Sequence, residues 1–456
     1  MSNKLSLSAS DRIAALLDDS SFVEVGAYVT ARSTDFNIQE NDTPKDGVIT
    51  GYGVINGKLV YVYSQDSSVL GGAIGEMHAK KIANIYNMAM KVGAPVIGLI
   101  DCAGLRLQEA TDALHAFARL YQKQSIASGV IPQITAILGT CGGGTAVIPA
   151  LTDITYMTSD NAKLFVNSPN ALDGNYAGKL DTASASYVST NTSLIDCVCD
   201  TEEEIFAEIR NLVSILPSNN EDEAYDPDIK DDLNRIIPNL DSLKSDAKAI
   251  IQNIADDNVF VEMKNDYEKS MVIGFAKIGG TTVGCVANNA KDSDSLLTTG
   301  GACIAAEFVN FCDAFNIPVL TLVDVEGIKR DEANEKFAAK ALGKLAFTYS
   351  HITVPTVTLI TGKAYGTAGV IMNSKALGAD LVYAWTGAEM GLMNKDLLAK
   401  IEDLPAGDTS STAYNAGRGF IDDIIAPEET RQRVAAAFEM LYTKTATDYM
   451  RKHGTV

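Results

Sequence analysis

Positive charge is what this chain is shortest of. Its 37 Lys and Arg residues and four His face 58 Asp and Glu, for a formal net charge of -21 at pH 7. Such a surface repels the phosphate backbone, which argues against nucleic acid as a partner. A small phosphorylated ligand stays open, because backbone N–H groups and a few local cations suffice to hold one. Long apolar runs are missing as well. No stretch reaches the ~18 residues that a membrane helix needs, and no charged-apolar-small leader opens the chain, so a soluble, cytoplasmic protein is expected. The histidines, His78, His115, His351 and His453, have no serine at a nucleophile elbow to serve, so no Ser-His-Asp set emerges. Cysteines are few, odd in number and set among apolar neighbours, which predicts reduced and mostly buried thiols. The pair in Cys197-Val-Cys199 has the wrong spacing for a zinc knuckle, and neither a metal site nor a catalytic thiol is expected.

What is present is a duplication. The chain has 456 residues, 46% of them hydrophobic, enough for two or three full cores. "GAPVIGLIDCAG" (93–104) and "NIPVLTLVDVEG" (316–327) share a Pro, an apolar run, an Asp and a Gly at an offset of 223. The same offset lays "GYGVINGKLVYVY" (51–63) over "GFAKIGGTTVGCV" (274–286), and "PQITAILGTCGGGTAVI" (132–148) over "PTVTLITGKAYGTAGVI" (355–371). Each copy reads as two short strands joined by a tight turn, Asn56-Gly57 or Gly279-Gly280, followed by an amphipathic helix. A buried strand ending in Asp101 or Asp324 comes next, then a second helix, then a strand that breaks into small residues. Strands alternating with helices predict an α/β fold with covered sheets. The acidic, turn-rich segment 216–240 reads as the linker, and the predicted domains are 1–225 and 226–456.

One tetrapeptide invites a different reading. Ala89-Met90-Lys91-Val92 is close to the Ala-Met-Lys-Met on which biotin is attached. The pattern puts Lys91 in the last turn of the first copy's helix, and the second copy has "CDAF" there. A biotin lysine needs the tip of an exposed hairpin, so no biotin is expected at Lys91.

Chemistry is expected at the small-residue breaks "GTCGGGTA" and "GKAYGTAG". Glycines there let the backbone approach a ligand, and the helix starts beyond them present unpaired N–H groups. Two such N–H groups make an oxyanion hole. The alternative is that the glycines only permit tight strand–helix packing. In the neighbouring "DCAGLRLQEA" (101–110), Ala103 and Gly104 could add N–H groups, and Arg106 could meet phosphate or form a structural ion pair. No glutamate comes after either turn for acid–base work, which suggests that a substrate or cofactor supplies the base.

The motifs at 46–66, 93–110 and 128–153, "FVNFCDAFNIPVLTLVDVEG" (308–327), "KAYGTAGVIMNSK" (363–375) and "RGFIDDIIAPEETRQRV" (418–434) together resemble the carboxyltransferase subunit of biotin-dependent acyl-CoA carboxylases and decarboxylases. The resemblance runs from about residue 10 to the end. It implies two tandem crotonase-like domains, the first holding acyl-CoA and the second facing biotin. It also implies a homo-oligomer, usually a hexamer, whose active site joins the amino-terminal domain of one subunit to the carboxy-terminal domain of another. The implied partners are a separate biotin carrier protein and either a biotin carboxylase subunit or membrane decarboxylase subunits. The cofactor is biotin on that carrier, and the substrate is a coenzyme A thioester. The resemblance puts the thioester oxygen on Gly143 and Gly144 and the biotin ureido oxygen on Thr367 and Ala368. It places Tyr365, Gly366 and Val370 beside them, with Ala103, Gly104 and Arg106 on the CoA side. The ureido anion left by carboxybiotin would be the missing base. Thr367 stands where relatives carry glycine, Gly369 where they carry an aromatic, and "DVEGIKRDEA" (324–333) lacks their two prolines and phenylalanine. Val370, with Gly369 before it, suggests an uncharged, slightly enlarged pocket for short aliphatic acyl groups. The departures on the biotin side keep two alternatives in view, a biotin-independent crotonase-type acyl-CoA enzyme and a non-catalytic scaffold subunit.

Overall fold

The offset of 223 residues reappears as geometry. In a computed structural model the strands β2 (Val48–Ile55), β3 (Lys58–Gln65), β4 (Val96–Cys102) and β5 (Gln133–Gly142) start 223 residues before β10 (Met271–Ile278), β11 (Thr281–Asn288), β13 (Val319–Val325) and β15 (Thr356–Tyr365). The described residues are 6–32, 43–175, 179–223, 225, 230–291, 293–398, 400–401 and 409–445. His453 and residues 224 and 226–229 of the expected linker lie outside them. The chain divides into two units, Met1–Asp222 and Glu223–Val456.

In the first unit the sheet runs β1 (Val23–Glu24), β2, β3, β4, β5, β6 (Ile154–Thr158), β8 (Cys197–Cys199), with β7 (Lys163–Phe165) pairing the end of β5. The second unit repeats that order as β9 (Phe260–Met263), β10, β11, β13, β15, β16 (Leu381–Trp385), β18 (Asp423–Ile425), with β17 (Glu389–Gly391) pairing β15. Its short β12 (Leu296–Leu297) and β14 (Gly327–Ile328) form a separate two-stranded ribbon. From β3 and β11 onward the pairings are parallel. Parallel strands need crossovers, and the helices Glu76–Val92 and Ala110–Ala127 supply them in the first unit, as Thr299–Ala314 and Glu332–His351 do in the second. The α/β expectation is met.

The expected hairpin turns form at both places. Asn56 and Gly57 have φ of 49° and 80°, Gly279 and Gly280 63° and 76°, the left-handed pair that a two-residue hairpin needs. Asp18 accepts both N–H groups of the first turn, at 3.1 Å each, and Asp256 those of the second, at 3.1 and 2.7 Å. In helix Glu76–Val92 the apolar residues spaced three and four apart are buried, with Ile82, Ile85, Tyr86 and Ala89 in one core with the β4 residues Val96 and Ile100. Gly93, with φ of 67°, ends that helix, and Lys91 sits exposed in its last turn rather than on a hairpin tip. None of the seven cysteines is in a disulfide; Cys102, Cys141, Cys285 and Cys312 are buried, and Cys197, Cys199 and Cys303 are half-buried. Among the described residues no helix is long and apolar enough to cross a membrane.

Candidate active site

Both small-residue breaks begin at the carboxyl end of a central strand. Chain leaving β5 turns at Gly143, φ 59°, and chain leaving β15 turns at Gly366, φ 58°. The two copies thus turn at glycines of matched φ, 223 residues apart. The helical segments beyond the turns are short: a 3-10 turn Gly143–Ala146 and one turn of helix Val147–Ala150 in the first copy, Gly366–Ile371 in the second. A macrodipole grows with aligned peptides, so helices this brief contribute little of it. What each turn offers instead is the local N–H groups of its first residues, which have no partner within their own helix.

Each turn is braced from behind in the same way. Asp101 Oδ1 accepts the N–H of Thr140 at 3.2 Å, and Asp324 Oδ1 accepts that of Lys363 at 2.8 Å. A Cβ on Gly139 would lie 2.2 Å from the Asp101 carboxylate, and one on Gly362 2.3 Å from that of Asp324. Glycine at those two positions is therefore required for the strand to close on the aspartate. Arg12 meets Asp101 at 3.3 Å and is held by Glu202 at 2.7 Å. The repeat made the shared aspartates visible in sequence but not their role; the matched Gly139 and Gly362 were the available signal.

The first turn has a further anchor. Tyr121 donates its hydroxyl to the carbonyl of Gly144 at 2.6 Å. A Cβ on Gly144 would sit 3.2 Å from that hydroxyl and 3.3 Å from the Phe117 ring, whereas one on Gly143 would meet nothing within 4 Å. Gly143 is thus needed for its φ and Gly144 for its lack of bulk. Burial pushes the Cys102 and Cys141 thiols up, which keeps both neutral beside the turn. Nothing in the sequence pointed to Tyr121.

Three expected ligand contacts are already committed elsewhere. Ala103 N–H donates to the Gly71 carbonyl at 2.9 Å, and Gly104 N–H to the Cys102 sulfur at 3.3 Å, so this pair is a wall rather than a second set of donors. Arg106 is fully buried, and its guanidinium donates to Asp46, to Glu109 at 2.8 Å and to the Ala73 carbonyl at 2.8 Å. Of its two readings, the structural ion pair is the one realised, because two carboxylates neutralise the charge a phosphate would need. Burial pushes Asp46 up and Arg106 pulls it back. Tyr365 is also buried, with its hydroxyl on Glu389, so the side chain braces the turn instead of lining it.

The remaining expectations stay at the surface of the second turn. Thr367 is exposed, Ala368 buried, and Val370 51% exposed. Thr367 does not distort the turn, since the positive φ falls on Gly366 before it. Gly369 is different. A Cβ there would meet the Ala364 carbonyl carbon at 2.6 Å, so a side chain at this position would require the backbone to shift. Near this turn Glu326, one of the departures from the family pattern, forms an ion pair with Lys363.

Comparison with known proteins agrees with this architecture. Residues 3–402 match the model of the family described as carboxyl transferase domain. The propionyl-CoA carboxylase beta chain of Roseobacter denitrificans is 40% identical over 99% of this chain and 93% of its own length. The methylmalonyl-CoA decarboxylase subunit alpha of Propionigenium modestum is 39% identical over the same shares. Among solved structures, the transcarboxylase 12S hexamer with hydrolysed methylmalonyl-coenzyme A bound superposes with a TM-score of 0.89 at 34% identity, covering 98% of this chain and 92% of that one. Its domains are crotonase-like, as the tandem fold here is. Two copies of one α/β unit, each closing on a braced glycine turn, and a match along nearly the whole chain lead to one conclusion: the chain belongs to the carboxyl transferase domain family.

Proposed function

We propose that this carboxyltransferase moves a carboxyl group between biotin on a separate carrier protein and a short-chain acyl-CoA, with one glycine turn serving each reactant. The observation that carries the reading is the pair of equivalent turns, at Gly143 and Gly366, with no acidic or histidine side chain in the helical segment beyond either to act as a base. In this reading Gly143 and Gly144 hold the thioester oxygen by their N–H groups, and Thr367 and Ala368 hold the ureido oxygen. Donors fixed in advance at a developing oxyanion stabilise the transition state more than the ground state. Carboxybiotin, when bound, supplies both the carboxyl group and, after its loss, the base. Tyr121 and Asp101 keep the first turn's donors aimed, and Asp324 and Tyr365 do so for the second.

The two turns of one active site come from different subunits in this proposal, and the transcarboxylase 12S hexamer supports an oligomeric assembly. A biotin carrier is the common partner, with a biotin carboxylase or a membrane decarboxylase completing the system. Val370 is uncharged and Gly369 carries no side chain, which favours short aliphatic acyl groups. One methylene in an apolar pocket is worth about 1–3 kcal/mol, so acetyl-CoA, propionyl-CoA and their carboxylated forms are expected to turn over within roughly a hundredfold of one another.

The test is carboxyl exchange by the purified protein with malonyl-CoA or methylmalonyl-CoA, using free biotin or a carrier domain as acceptor. Carboxyl transfer that requires biotin supports the proposal. Acyl-CoA turnover without biotin would favour a crotonase-type enzyme, and acyl-CoA binding without turnover a scaffold. The donors are tested by replacing residue 144 with glycolate, which exchanges its N–H for an ester oxygen at little steric cost. The rate should fall by roughly a hundredfold, on the scale of one lost oxyanion donor.

A further inference from the structure

At the edge of the first unit's sheet, β8 carries two thiols that the reaction does not use. Cys197 and Cys199 are separated by one residue on an extended strand, so they project from the same face. Their sulfurs lie 3.8 Å apart and share a hydrogen bond, and neither is in a disulfide. Both residues are half-buried, so a small reagent can reach them while the strand stays paired. Among the described residues β8 pairs only with β6, Tyr156 opposite Cys197 and Thr158 opposite Cys199, and its other side has no strand to resist a change of twist. Residues two apart on a strand have Cα atoms about 6.6 Å apart. A disulfide spans Cα separations up to about 6.8 Å, with sulfurs at about 2.05 Å, so closure needs the side chains to rotate and the strand to yield slightly.

We propose that Cys197 and Cys199 form a redox-active dithiol that closes to an intramolecular disulfide by exchange with a small-molecule disulfide of the glutathione type. Cys199 as thiolate attacks one sulfur of the reagent, giving a mixed disulfide and releasing one thiolate. Cys197 then loses its proton and attacks the Cys199 sulfur, expelling the second thiolate. Two electrons pass from the protein to the reagent, which leaves as two thiols once it has taken up two protons. The hydrogen bond from Cys197 lowers the Cys199 thiol from its ordinary value, which suits it to the first step. Asp200, Glu204 and Glu208 push the other way, so the exchange is expected to be slow near neutrality and faster as pH rises. A ring this small at the limit of disulfide geometry is readily reduced again, as exposed and strained disulfides are. A metal is not the natural ligand here, since no group of three metal-binding side chains forms among the described residues.

The chain's own cleavage sites make the test direct. Trypsin, cutting after Lys179 and Arg210, releases both thiols in one peptide, residues 180–210, with no other cysteine in it. The folded, full-length protein is incubated with oxidised glutathione at graded ratios to the reduced form, quenched with acid and digested. The expected wild-type peptide has lost two hydrogens and carries no glutathione, and dithiothreitol restores it. Cys197→Ser should stop at the mixed disulfide and retain glutathione on Cys199. A wild-type peptide that retains glutathione without closing would overturn the proposal. So would one that stays reduced under conditions where the unfolded chain oxidises.

Discussion

At the level of single residues, Gly143 and Gly144 are neighbours required for unrelated reasons. Alanine at Gly143 keeps the N–H and meets no atom, but must hold a left-handed φ, which costs about 1–2 kcal/mol. Alanine at Gly144 has an acceptable φ but pushes on Tyr121 and Phe117, the groups that aim the turn. Gly143→Ala should therefore lower the unfolding free energy by about 1 kcal/mol with most of the rate kept. Gly144→Ala should cost more rate than stability, and urea melts beside carboxyl-transfer kinetics separate the two.

A half-buried carboxyl offers a second residue-level prediction. Burial, with Asp196 nearby, pushes Asp153 up to about 7, while it accepts the Gln133 N–H at 2.8 Å. In the second unit Asp380 accepts the Thr356 N–H in the same way, but Lys444 lies 2.7 Å from it. A carboxyl whose folded value lies above its unfolded one binds its proton more tightly when folded. Its contribution is complete below about pH 4 and is lost as pH rises towards 7. The first unit should thus lose stability between pH 4 and 7, by a few kcal/mol at most, and Asp153→Asn should flatten that slope. Thermal melts of both proteins across the window check this; an unchanged slope in the variant would count against the raised-acid account.

At the level of elements, the two turns work because an aspartate occupies the space a side chain would fill. Gly139→Ala and Gly362→Ala each drive a methyl into the Asp101 or Asp324 carboxylate. Overpacking of this kind costs about 1–3 kcal/mol, and here it would also move the N–H groups proposed as oxyanion donors. Both variants should lose activity by a larger factor than their loss of stability explains, visible as a lower kcat in protein that still melts cooperatively. Helices and strands were legible in the sequence because their periods are local. The stripe of Ile82, Ile85, Tyr86 and Ala89 needed only a spacing of three and four to be seen.

At the level of the whole molecule, the proposed sharing of the active site between subunits would make activity depend on assembly. Light scattering should find an oligomer, with a hexamer expected, and dilution or mild denaturant that yields folded monomers should abolish carboxyl transfer. An active monomer would remove the shared-site proposal while leaving the family assignment intact. The acidic balance of the chain acts at this scale too, since its charge of -21 disfavours polyanions without specifying any fold.

The sequence by itself determined the duplication, the α/β class, the two glycine turns and the family, since each depends on spacing or on a motif carried within one stretch of chain. Only the tertiary structure decided which groups at the turns are free to act. Arg106 is neutralised by Asp46, sixty residues away in sequence, and Ala103 N–H by the Gly71 carbonyl. Tyr365 is held by Glu389, and the place of a side chain at Gly369 is filled by Ala364. Hydrogen-bond donors and space are each used once, and which neighbour uses them is settled by contacts that no local pattern encodes.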